Sequence, residues 1–70
     1  MYVRAYDYAA QILVTARIAD GAEFITLDYL YTTLGATDKE TKTSVRWAIQ
    51  NCRNAGLLTN TDTRGVYRVC

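Results

Sequence analysis

The sequence predicts a mainly α fold with a small β-hairpin (α+β): three helices, then two strands. Three observations predict it. Apolar residues recur at helical spacing in three successive segments, each closed by a glycine. The last segment has two β-prone runs around a turn-forming stretch. The 70 residues contain no proline, so nothing in the chain obliges a helix to break.

Helix one is expected over about residues 4–19. Tyr6, Ala9, Leu13 and Ala16 form its apolar stripe, bordered by Tyr2 and Ile12, while Arg4, Asp7, Gln11 and Thr15 fall elsewhere. Asp20 and Gly21 stop it. Phe24 and Ile25 follow, a run that suits a strand of two or three residues.

Helix two is expected over about 27–34, with Thr26 as N-cap and Asp28 near the positive helix end. Leu27, Leu30, Tyr31 and Leu34 give an i, i+3, i+4, i+7 stripe, and Gly35 ends it. Helix three is expected over about 38–55. Thr37 and Glu40 match the S/T-x-x-E capping box, in which each side chain satisfies the other residue's backbone N–H. Val45, Ile49 and Cys52 are its buried stripe, with Thr41 and Ala48 beside them, and Gly56 follows its end. The hairpin occupies about 57–69, with turn residues Thr61, Asp62, Thr63, Arg64 and Gly65 in its middle. Alternation places Tyr67 and Val69 on one face of the last strand, Val66 and Arg68 on the other. The expected core is Leu13, Phe24, Ile25, Leu27, Leu30, Leu34, Val45, Ile49, Leu58 and Tyr67.

The totals fit one small domain. Half the residues are hydrophobic, too many for a disordered chain. A chain of this length buries only about 60% of its unfolded surface, so it folds with little to spare. Cys52 and Cys70 are the only cysteines and there is no histidine, which leaves neither a disulfide framework nor a zinc set. The reading is a reduced, cytoplasmic protein without metal or cofactor. No run approaches the apolar length of a membrane span, and the first ten residues lack a signal-peptide core. The chain reads as complete and untargeted, with no membrane partner. Catalysis is not expected. There is no histidine for acid–base work, no Gly-rich phosphate loop, and no base beside either thiol.

Net charge is +1, unevenly spread. Residues 1–37 carry Arg4 and Arg17 against Asp7, Asp20, Glu23 and Asp28. Residues 38–70 carry Lys39, Lys42, Arg46, Arg53, Arg64 and Arg68 against Asp38, Glu40 and Asp62. A basic C-terminal half on a near-neutral chain suits a basic face.

Helix two, the Gly35–Ala36 turn and helix three form a helix-turn-helix, and the hairpin stands where a wing would. From Phe24 to Val69 the chain resembles winged helix-turn-helix DNA-binding domains of the transcription-factor type. The residues that carry the resemblance are Ile25-Thr26-Leu27-Asp28-Tyr29-Leu30, Leu34-Gly35-Ala36-Thr37, Val45, Ile49 and Cys52, Asn54-Ala55-Gly56-Leu57-Leu58, and Gly65-Val66-Tyr67-Arg68. They are apolar positions and glycines, which mark a fold more than a family. Cys52 stands where leucine is usual and Trp47 where a polar residue is common.

The resemblance implies a regulatory protein that inserts helix three into the major groove of double-stranded DNA. On a helical wheel of about 100° per residue, Lys39, Thr43, Arg46, Trp47, Gln50 and Asn54 lie opposite the core stripe, with no acid among them. Arginine, glutamine and asparagine read purine edges, and lysine serves phosphate. The expected DNA-binding residues are Lys39, Lys42, Thr43, Arg46, Trp47, Gln50, Arg64 and Arg68, the last two on the wing. A protein-binding module of the same fold is the competing reading, with Trp47 and nearby tyrosines as anchors. Trp47 also fits a peripheral core position. Tyr8 and Ile18 fall off the stripe of helix one and either line a homodimer contact or stand as single exposed residues. A homodimer, or cooperative binding on DNA, is expected, with helix one as its candidate interface.

Overall fold

A computed structural model describes residues 4–70. The order is α1 (Arg4–Ala19), β1 (Phe24–Thr26), α2 (Leu27–Leu34), α3 (Lys39–Asn54), β2 (Leu58–Asn60) and β3 (Val66–Val69). This is the expected α+β arrangement of three helices and a hairpin, with β1 added to the sheet. The molecule measures 28 × 23 × 21 Å.

All three helices end in the same way. After α3, Leu57 N–H donates to the Cys52 carbonyl and Gly56 N–H to that of Arg53, both at 3.0 Å. This Schellman pattern needs a left-handed residue, and Gly56 supplies it at φ +81°. The pattern recurs at Gly35, where Ala36 N–H reaches Tyr31 and Gly35 N–H reaches Thr32, and at Gly21. The carbonyls of each last turn are thereby satisfied before the chain reverses.

The helix starts differ in one respect from expectation. Thr26 caps α2 as expected, its Oγ1 accepting from Tyr29 N–H at 3.1 Å. At α3 the cap is Asp38, not Thr37 with Glu40. Asp38 Oδ1 accepts from Thr41 N–H at 2.8 Å and from the Thr41 hydroxyl at 2.7 Å. A carboxylate at this position also faces the positive helix end. These bonds, the Thr41 N–H foremost, hold the Asp38 carboxyl below its ordinary pKa of 3.8. Its stabilisation is therefore present above the unfolded-state pKa and lost as pH falls through the folded one. Asp38→Ala should lower the melting temperature at neutral pH. The gap from wild type should close in scans carried below the carboxylate range. A gap independent of pH would assign the loss to something other than this cap.

The sheet has the order β1-β3-β2, antiparallel throughout. Ile25 stands opposite Tyr67 and Phe24 opposite Arg68 in the β1–β3 ladder. Asn60 faces Tyr67 and Thr59 faces Arg68 in the β2–β3 ladder. Residues paired across a ladder share a face. Ile25 and Tyr67 therefore turn inward, and Phe24, Arg68 and Thr59 turn out. This corrects the placement of Phe24 in the core: it is 50% exposed. Adjacent strand residues point to opposite faces, so Phe24 and Ile25 cannot both be buried beneath one sheet.

The core is Ala10, Val14, Ile25, Leu30, Ala36, Val45, Ala48, Ile49, Cys52 and Leu58. Leu13, Leu27, Leu34 and Tyr67 pack against it partly buried. The expected stripe of α1 is rotated. Its buried residues are Asp7, Ala10 and Val14, while Ala16 and Ile12 are exposed. Tyr2 lies outside the described residues. Ile18 packs against the core, which removes it from the candidate dimer contact. Asp7 is buried with its Oδ1 accepting from Gln11 Nε2 at 2.8 Å, a partner that offsets the cost of burying a carboxylate.

Cys52 is buried and Cys70 exposed. Burial first, and the negative charge of Asp7 second, push the Cys52 thiol upward, which suppresses the reactive thiolate. Maleimide should label the native protein at Cys70 alone, with Cys52 reacting only in guanidinium. Equal labelling of both thiols in native protein would contradict the packing around Cys52.

Candidate nucleic-acid interface

The face of α3 turned away from the core is polar and open. Val45, Ala48, Ile49 and Cys52 are buried, as is Ser44. Arg46, Trp47, Gln50 and Asn54 are exposed and Thr43 is half-buried. These five line one shallow groove of about 540 Å³. None is acidic. The groove joins five of the six positions that the wheel placed opposite the core, all but Lys39.

Trp47 is 53% exposed, so it is not a core residue. Its ring forms part of the groove wall. Arg46 is steadied from two sides: Nη2 donates to Thr43 Oγ1 at 3.1 Å, and Nη1 to the Tyr31 hydroxyl at 3.4 Å. Thr43 in turn donates to the Lys39 carbonyl at 2.7 Å, which orients its oxygen toward the guanidinium. These bonds use two of the five donors that a guanidinium carries.

Gln50 is held at both ends of its amide. Its Nε2 donates to Asn54 Oδ1 at 3.3 Å and its Oε1 accepts from Arg53 Nη1 at 3.1 Å. One N–H and one lone pair remain, the donor–acceptor pair that adenine N7 and N6 require.

The remaining expected residues stand outside the groove. Lys42 lies on its flank with Nζ 5.3 Å from the centroid of the Tyr31 ring, a cation–π distance. Lys39 is exposed in the first turn of α3, beside the ionised cap Asp38. Arg64 is exposed at the wing tip. There the Thr61 hydroxyl accepts from Thr63 N–H at 3.2 Å and donates to the Val66 carbonyl at 2.8 Å, closing the turn. Gly65, at φ +78°, completes it with its carbonyl accepting from Leu27 N–H. Arg68 is exposed in the middle strand, between Phe24 and Thr59.

Sequence reasoning missed two contributors. Tyr31 stands in the expected apolar stripe of helix two, yet its hydroxyl and ring organise Arg46 and Lys42. A tyrosine at the edge of an apolar stripe carries a polar tip that seeks a partner, and that was the available signal. Arg53 was left off the face, although its position three residues after Gln50 allows the bond observed. Among the described residues, no three His, Cys, Asp or Glu side chains gather as a metal site would need. No helix among them is long and apolar enough to cross a membrane.

No protein-family model, no curated protein and no solved structure matches the chain.

Proposed function

We propose that the chain is a regulatory DNA-binding protein that lays the outer face of α3 in the major groove and sets the wing on adjacent backbone. The observation that carries this reading is the groove of Thr43, Arg46, Trp47, Gln50 and Asn54. It presents a cation, an oriented amide and a hydroxyl along one helix face, without a carboxylate. Arg46 and Gln50 lie one turn apart at mid-helix, where a docked helix comes nearest the base edges. Lys42 and Arg64 flank them and supply phosphate contacts, with Arg68 on the outer sheet face. Asp38 offsets Lys39 at the start of α3, so the flank and wing carry more of the backbone attraction. The work is binding alone, in a reduced compartment, the cytoplasm.

The test is retention of the folded protein on mixed-sequence duplex DNA from low to moderate salt. Phosphate contacts release counterions, so affinity should fall steeply as salt rises. Arg64→Ala should weaken binding to all sequences alike and reduce the salt slope by about one. Failure of the folded protein to bind any duplex at low salt sinks the proposal. Trp47 favours a second reading, a protein partner anchored on this face. In that case Trp47→Ala should abolish capture of the partner and leave residual DNA retention unchanged.

A further inference from the structure

The helix α1 is apolar on two opposite sides. Its inner side, with Ala10 and Val14, is fully buried. On the outer side Ala5, Tyr8, Ile12, Ala16 and Ala19 fall within about 40° of one line along the helix, about 160° from Ala10 and Val14. All five are exposed, Tyr8 at 68% and Ile12 at 55%. A helix at the surface of a lone globule shows polar residues on that side. Here Asp7 is buried on the inner side and Arg17 is turned away over the Tyr29 ring, so the charges left beside this face sit at the ends. Arg4 begins the helix, while Asp20 and Glu23 follow its end.

We propose that this face binds the same face of a second copy, the two α1 helices running antiparallel about a two-fold axis near Ile12. This goes beyond DNA binding and does not depend on it. Two features select the occupant and the direction. The first is size. A two-fold at Ile12 sets Tyr8 of each copy at the level of the other's Ala16, and Ala5 at the level of Ala19. Beside Tyr8 runs a shallow depression lined by Gln11, Ile12, Thr15, Ala16 and Ala19, which receives the partner's Tyr8 ring. A parallel pair would stack Tyr8 on Tyr8 and leave alanine against alanine. The second feature is charge. Antiparallel packing brings the Arg4 end of each helix to the Asp20 and Glu23 end of the other, and it opposes the helix dipoles. Parallel packing would bring like ends together. The contact is isologous, so every residue is used twice. The stripe from Ala5 to Ala19 spans about 21 Å at 1.5 Å per residue. One helix pair of that length makes a small interface, and a weak, concentration-dependent dimer is expected.

Sedimentation velocity in reducing buffer without DNA, from micromolar to millimolar protein, tests the dimer. Wild type should shift from monomer to dimer across that range. Ile12→Glu, an exposed substitution, should keep the helical circular dichroism and weaken association at least tenfold. Ala16→Arg, which blocks the depression, should do the same and serves if Ile12→Glu misfolds. Direction is read by oxidative cross-linking in a Cys70→Ser background. Chains with Ala5→Cys mixed with chains carrying Ala19→Cys should link faster than either chain alone. A wild type monomeric at millimolar concentration overturns the proposal and gives this face to a different partner. Dimerisation unchanged in folded Ile12→Glu, or cross-linking as fast within each variant as between them, overturns it equally.

Discussion

Ile49→Ala should destabilise the protein by about 2–5 kcal/mol. Ile49 is 2% exposed on the inner side of α3, among the largest side chains sealed in the core. Truncation removes transfer free energy and leaves a cavity that neighbours on α1, α2 and the sheet fill only in part. Small domains fold by roughly 5–15 kcal/mol, so the loss is a large share of the total. Denaturant unfolding followed by circular dichroism measures it, as a lower midpoint at unchanged slope. A variant as stable as wild type would mean that α3 turns a different side inward, and the groove face would fall with it.

Arg46→Ala should cost about 1–3 kcal/mol of DNA affinity and relax preference at one base pair. Its effect differs in kind from that of Arg64→Ala, which acts through phosphate. Quantitative binding to a set of single-base variants separates the two. Arg46→Ala should flatten one position of the preference profile, while Arg64→Ala should lower every position together. Tyr31→Phe adds a control, since it removes one of the two bonds that steady the guanidinium and leaves the charge. A uniform loss from Arg46→Ala would move this residue from base reading to backbone contact.

The α2 helix was legible because Leu27, Leu30, Tyr31 and Leu34 share one side and its cap and terminal glycine agree with them. The α1 helix was legible in extent but not in rotation. Alanines, Tyr8, Ile12 and Val14 distribute apolar surface around it, so periodicity alone could not choose the inner side, and packing against α3 chose it. At the start of α3 the S/T-x-x-E spacing pointed to Thr37 with Glu40, but Asp38, one residue later, is the cap. The negative carboxylate took the role, with Thr41 meeting it twice. Phe24 and Ile25 were indistinguishable until the register with Arg68 and Tyr67 was known. In the groove, the residues themselves were visible from the wheel. Their mutual bonds were not, because Tyr31 reaches Arg46 from another helix.

The middle position of β3 has a consequence for how the chain acquires its shape. Both edge strands depend on it, and β1 precedes it by about forty residues, so their ladder is a non-local contact of the kind that slows folding. During synthesis the three helices can gather while β1 still has no strand beside it. Only when residues 66–69 emerge do both edges find a partner at once. Deleting those four residues would therefore leave two strands without a ladder rather than shorten one hairpin, and a bulky fusion that displaces β3 would do the same.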